Sequence, residues 1–193
     1  MTAHRRFAPG IALLVAAAAM TVSAQRGRSV QVMTLTTPAW ADGGVIPAKY
    51  AQQGGDVSPP LSWSSVPETA ASFVLIVHDL DAATGPGTED TLHWLVWNIP
   101  ATARSLPERV PQGATLADGS RQISATGPNY RGPAAPASGP PHHYVFELFA
   151  LDGMLDVPAV GATPAQTRAA VIAAMAGHVR GKAAYTGLFK RGE

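Results

Sequence analysis

The sequence predicts a mainly β fold, a sandwich or Greek-key sheet, with one α-helix late in the chain. Three observations carry this expectation. Several apolar runs are rich in β-branched and aromatic residues. Gly (19) and Pro (17) are frequent among the 193 residues and fall between those runs, which disfavours an all-helical bundle. Only one segment has clear helical periodicity.

Val30 to Thr36 alternates, and Leu61 to Trp63 follows Pro59-Pro60 as a short strand. Ser72 to Asp79 (SFVLIVHD) is continuous and β-branched, as expected of a strand buried on both faces. Leu92 to Ile99 and His142 to Leu151 have the same character, and Tyr185 to Phe189 is a closing strand. Turns are expected at Asp42-Gly43-Gly44, Gly54-Gly55-Asp56, Gly85-Pro86-Gly87 and Asp118-Gly119. For the helix, Thr163 is a fit N-cap and Pro164 suits the first position. Ala165, Ala169, Ile172 and Ala176 form an apolar stripe, and Gly177 ends it. Residues 111–141 hold Gly127, Pro128, Gly132, Pro133, Pro136, Gly139, Pro140 and Pro141 but few large apolar side chains. A loop of that length is uncommon in a compact domain and is often functional.

Residues 1–24 have the form of a secretory signal. Arg5 and Arg6 give a basic start, Ile11 to Met20 is an unbroken apolar run of ten, and Val22-Ser23-Ala24 supplies a cleavage site before Gln25. A membrane anchor needs about 20 apolar residues, twice this run. The expected organisation is a signal over 1–24, a flexible lead-in over 25–32 and one domain over 33–193, with no transmembrane segment in the mature chain. Export places the protein in the periplasm or outside the cell.

Composition narrows the function. Charged residues are 14% and hydrophobic residues 46%, which excludes a disordered chain. There is no cysteine, so disulfides, thiolate metal sites and cysteine nucleophiles are excluded. Cleavage after Ala24 removes Arg5 and Arg6, leaving 12 of the 14 basic residues against 13 acidic ones. Those bases are scattered, so nucleic acid is not an expected partner. No GxxxxGK[ST] or GxGxxG occurs, so nucleotide loops of those kinds are absent.

One polar set stands out. Strand side chains at i and i+2 share a face, so Asp79 and Asp81 project together from one strand end. His142 and Tyr144 project together from the start of another strand, and His93 heads a third. Imidazole and phenol groups can donate to a phosphate or carboxylate. The two acids would orient the imidazoles and raise their pKa, favouring the anion-binding form. Parity alone does not make the three strands neighbours. Metal binding by Asp79, His93 and His142 is a weaker alternative, since no HExxH or similar close spacing occurs. Hydrolysis lacks a GxSxG or another evident nucleophile.

These residues, in this order, resemble the phosphatidylethanolamine-binding protein family, known also for Raf kinase inhibitor protein, and its bacterial branch in particular. Asp79-Leu80-Asp81-Ala82-Ala83 stands where the family has Asp-Pro-Asp-Ala-Pro, followed by His93-Trp94 and Asn98-Ile99-Pro100. Tyr130-Arg131-Gly132-Pro133-Ala134-Ala135-Pro136 stands for the Tyr-x-Gly-Pro-x-Pro-Pro loop, and His142-His143-Tyr144 for its His-Arg-Tyr strand. Ser58 to Trp63 and the tail from Leu151-Asp152-Gly153 through Ala174 to Val179 match as well. The likeness spans roughly residues 33–191. It implies a β-sandwich-like fold with a small anion pocket using Asp79, Asp81, His93, Pro136, His142 and Tyr144, with Gly132 and Ala134 in its wall. Leu80 and Ala83 replace two prolines and are expected to alter the wall. Ala135 loosens the loop, and His143 replaces an arginine near the mouth.

The expected function is an exported, non-enzymatic binding protein for phosphate or a phospholipid head group, needing no cofactor and no metal. Alternatives are a protein-binding inhibitor of a kinase or protease, and a hydrolase using the Asp/His cluster. A protein partner is compatible with the resemblance. The oligomeric state is left open, a homodimer included.

Overall fold

The computed structural model describes residues 30–83 and 90–192, so the expected signal over 1–24 and the turn at Gly85-Pro86-Gly87 lie outside it. Along the chain run β1 (Gln31–Val32), β2 (Thr34–Thr36) and β3 (Gly44–Val45), then two single 3-10 turns at Ala48–Tyr50 and Gln52–Gly54. They are followed by β4 (Leu61–Ser64), β5 (Ser72–Ala83), β6 (Asp90–Pro100), β7 (Ser105–Leu106), β8 (Arg121–Ile123) and β9 (His142–Leu151). The chain ends with α1 (Pro164–Met175) and β10 (Val179–Phe189). Paired backbone begins at Gln31, two residues before the expected domain start.

The larger sheet has the order β1-β10-β9-β5-β6-β8, with β3 also paired to β10. Its central strands are antiparallel, while β1 and β3 run parallel to β10. A smaller sheet, β2-β4-β7, packs over one face. Residues of β5 explain the layering. Phe73, Leu75 and Val77 enter the core beneath the small sheet, with Trp40, Trp63, Trp94 and Phe146. Val74 and Ile76 enter a second core beneath α1, with Leu95, Trp97, Val171 and Met175. The continuous apolar run in Ser72 to Asp79 therefore serves two cores at once. In β9, by contrast, one face is buried and the other half-exposed over much of the strand.

The helix starts as expected. Thr163 and Gln166 form a reciprocal capping box, with Pro164 at the first position. Its buried face is Thr167, Val171 and Met175, however, and the expected stripe of Ala165, Ala169, Ile172 and Ala176 faces solvent. The alanines of this helix occupy one half of its circumference, and Thr167, Val171 and Met175 lie on the other. The few larger side chains bury more apolar area, so they set its rotation. The Pro-rich stretch over 111–141 is not wholly a surface loop. It contributes β8, and Gln122 within it is buried, accepting from Trp94 Nε1 (2.8 Å) and donating to the carbonyls of Pro111 (2.6 Å) and Gly113 (3.0 Å).

An ion network lies on the helix side of the large sheet. His78 meets Asp90 and, through Nε2, Glu147 Oε2 (3.3 Å); Lys182 meets Glu147 (2.9 Å); Arg168 meets Asp90. The ion pair with His78 and then the Lys182 pair, outweighing burial, hold the Glu147 carboxyl at about 2. A depressed carboxyl stabilises the fold above the usual Glu range and loses that contribution as pH falls towards 2. Glu147→Gln is therefore expected to cost about 1 kcal/mol at neutral pH and little near pH 2. Urea unfolding of both proteins between pH 2.5 and 6 checks this, and a difference independent of pH would refute it.

Candidate functional site

The end of β5, the start of β9 and β6 meet beneath the loop over 130–136. Strand pairing sets Asp79 opposite Tyr144, one step beyond the buried Val77 and Phe146. They enclose an open cavity of about 260 Å³, lined by Asp79, His93, Ala134, Pro136, His142 and Tyr144 among others. Six of the eight expected site residues thus line one cavity.

Asp79 is the hub and is only 3% exposed. Its Oδ2 accepts from His142 Nδ1 (2.9 Å) and its Oδ1 from the backbone N–H of Asp81 (3.0 Å). The Tyr144 hydroxyl accepts from the backbone N–H groups of Ala134 (3.3 Å) and Ala135 (3.2 Å). Burial first, and the Asp79 charge next, push the Tyr144 pKa far up, so the phenol keeps its proton. Tyr144 therefore ties the loop wall to β9 through the two N–H groups of Ala134 and Ala135.

The two histidines differ. His93 is buried, packs edge-on against Tyr144 (5.0 Å between ring centres), and donates from Nδ1 to the Arg131 carbonyl (2.8 Å). Burial lowers its pKa, more than the Arg131 carbonyl and Asp79 raise it. This corrects the expectation that nearby acids would keep it cationic. Neutral His93, with Nδ1 committed, presents a lone pair at Nε2 and accepts a hydrogen bond. His142 has its Nδ1 anchored on Asp79, and its Nε2 carries a hydrogen only in the imidazolium form.

Asp81 and Gly132 do not line the cavity. Asp81 is exposed and accepts from the backbone N–H (2.6 Å) and ring Nδ1 (2.8 Å) of His143. The His143 backbone bond, against slight burial, holds its carboxyl below the usual range. The β5–β6 register breaks between Asp79 and Ala83, so the period of two that put Asp81 beside Asp79 fails there. Gly132 supports the wall from behind. A Cβ on it would lie 2.6 Å from the Tyr50 carbonyl oxygen and 2.6 Å from the Ala51 carbonyl carbon. Its N–H donates to Asp56 (2.8 Å), and its carbonyl accepts from Gln52 Nε2 (3.0 Å).

Gln52, Ala82, Thr91, Arg131 and Ala135 also line the cavity and were not expected. Arg131 sits at an unspecified position of the loop motif, and Ala135 stands where the motif has a proline. Gln52 comes from a 3-10 turn 80 residues away from Gly132, and no local pattern points to it.

Comparison with known proteins agrees with this architecture. The family model for phosphatidylethanolamine-binding protein matches residues 36–190. A protein of Methanothermobacter thermautotrophicus named UPF0098 is 42% identical over 162 residues, 83% of this chain and 100% of that protein. A Mycobacterium tuberculosis protein named as a candidate lipoprotein, LppC, is 36% identical over 155 residues, 79% of this chain and 71% of that one. The crystal structure of CT736 from Chlamydia trachomatis, described as a phosphatidylethanolamine-binding protein homolog, is 34% identical with a TM-score of 0.68, covering 83% of this chain and 99% of that one. The β-rich fold, the late helix and these matches together show that the chain belongs to the phosphatidylethanolamine-binding protein family.

Proposed function

We propose that the chain is an exported, non-enzymatic binding protein whose cavity takes a small anion, phosphate or a phospholipid head group. The observation that carries this reading is the His142 imidazole, aimed from a buried carboxylate at the wall of a cavity of about 260 Å³ that Arg131 also lines. A cationic imidazole held in one orientation is a directional anion donor. One feature supports binding over turnover. The lining hydroxyls are Thr91, which donates to the Ala82 carbonyl (3.2 Å), and Tyr144, whose oxygen accepts from the Ala134 and Ala135 N–H groups. Neither has a histidine among its hydrogen-bond partners to serve as the base that a nucleophile needs.

Export rests on the basic start, apolar run and cleavage site at the N-terminus, and is consistent with a relative named as a candidate lipoprotein. Among the described residues no helix is long and apolar enough to cross a membrane.

The test is calorimetric titration of protein recovered from the periplasm of an expression host, its intact mass reporting a start at Gln25. Phosphate, phosphoethanolamine and acetate are the ligands. Saturable phosphate binding is expected, at least tenfold weaker in a folded His142→Ala variant, since loss of one charge-assisted hydrogen bond is worth about 1.5–3 kcal/mol. No phosphate binding, or unchanged binding in the variant, would overturn the reading.

A further inference from the structure

A second cavity, of about 220 Å³, adjoins the first. It is lined by Gln52, Gln53, Pro133, Ala134 and Arg191, and it shares Gln52 and Ala134 with the main cavity. Arg191 arrives from beyond β10, at the far end of the chain. Its backbone N–H donates to the Ala135 carbonyl (3.0 Å), and its Nε and Nη2 donate to the Ala134 carbonyl (3.1 and 2.9 Å). These side-chain bonds hold the guanidinium in place and use two of its five N–H groups, so three remain for a ligand. The charge balance of the two compartments differs. The main cavity contains the Asp79 carboxylate, whereas the second is lined by one cation, two carboxamides and no acid.

We propose that the compartment anchored by Arg191 takes a carboxylate borne by a ligand whose phosphate occupies the main cavity. This rests on the anion-binding reading above and narrows its substrate class to phosphorylated small carboxylic acids, of which the phosphoserine head group is the lipid-borne form. A planar guanidinium already fixed by its own wall binds a carboxylate with little further ordering. Gln52 and Gln53 add carboxamide donors to the same compartment. A second anion placed in the main cavity would instead meet Asp79.

Phosphoethanolamine and phosphoserine differ only by a carboxylate, so their affinity ratio tests the inference. Wild-type protein is expected to bind phosphoserine about tenfold more tightly, the value of one charge-assisted contact. Arg191→Gln should bring the ratio within about twofold, while inorganic phosphate affinity stays within about threefold. Arg191→Lys, which keeps the charge, should retain most of the preference. Vesicles of phosphatidylcholine containing phosphatidylserine separate the two sources. Co-sedimentation identifies the lipid head group, and binding of free phosphoserine alone identifies a soluble ligand; either supports the inference. Phosphate binding with a ratio near one, or a preference that survives Arg191→Gln, overturns the carboxylate compartment alone. Failure to bind phosphate overturns the main-cavity reading and this one with it.

Discussion

Gly132→Ala is expected to destabilise the protein by about 2–3 kcal/mol and to disorganise the binding wall. The added Cβ would sit 2.6 Å from the Tyr50 carbonyl oxygen and 2.7 Å from the Gln52 backbone nitrogen. These are backbone atoms, so no side-chain rotation relieves the contact, and overpacking of this kind costs about 1–3 kcal/mol even where side chains can yield. The strain falls on the bonds from Gly132 N–H to Asp56 and from Gln52 N–H to the Pro133 carbonyl. Displacing that segment also shifts Ala134 and Ala135 from the Tyr144 hydroxyl. Equilibrium urea unfolding checks the magnitude. Gly153→Ala, where no atom lies within 4 Å of the new Cβ, is the matched control and should change stability by less than about 0.5 kcal/mol. Equal stabilities of wild type and Gly132→Ala would refute the close-approach argument.

Asp79→Ala carries the second large effect. It removes the acceptor for His142 Nδ1 and for the Asp81 N–H in one step. Leaving buried donors without partners costs about 1–3 kcal/mol per group. Water entering from the open cavity relieves part of this, so a net loss of about 3 kcal/mol is expected. Phosphate affinity should fall at least tenfold, because His142 loses the hydrogen bond that orients its ring. A double-mutant cycle with His142→Ala separates direct from relayed effects. If Asp79 acts on the anion through His142, the losses in phosphate affinity will not add. Additive losses would mean that Asp79 serves the ligand by another route.

The sequence and the structure agree where local periodicity persists and differ where it breaks. His142 and Tyr144 both line the cavity because β9 pairs in unbroken register with β5 through this region. Asp79 and Asp81 separate because the β5–β6 register shifts just past Asp79. His93 reaches the site by another irregularity. Val77 pairs with Trp94 and His78 with Leu92, leaving His93 as the extra residue of a bulge. A bulge re-aims a side chain without leaving a mark in hydrophobic alternation. The helix shows a different limit, since the alanine stripe marked an apolar face while the larger Val171 and Met175, on the other side, were the residues that reached the core. Gln52 and Arg191 were out of reach for a different reason. Each meets the 130–136 loop through a contact long in sequence, made to backbone atoms that any residue type would present.

The lacing of that loop has a consequence for what can enter. Arg131 N–H bonds the His93 carbonyl (2.9 Å), the Tyr130 hydroxyl bonds the Tyr50 carbonyl (3.1 Å), Gln52 N–H bonds the Pro133 carbonyl (3.1 Å), and Arg191 N–H bonds the Ala135 carbonyl (3.0 Å). Three separate parts of the chain, the 50–52 segment, β6 and the residues after β10, would have to let go before the wall could swing aside. The mouth therefore works as a sieve of fixed aperture rather than as a door. On the reading proposed above, a polar head enters the cavity while any acyl chain attached to that head stays outside, in solvent or still in its bilayer.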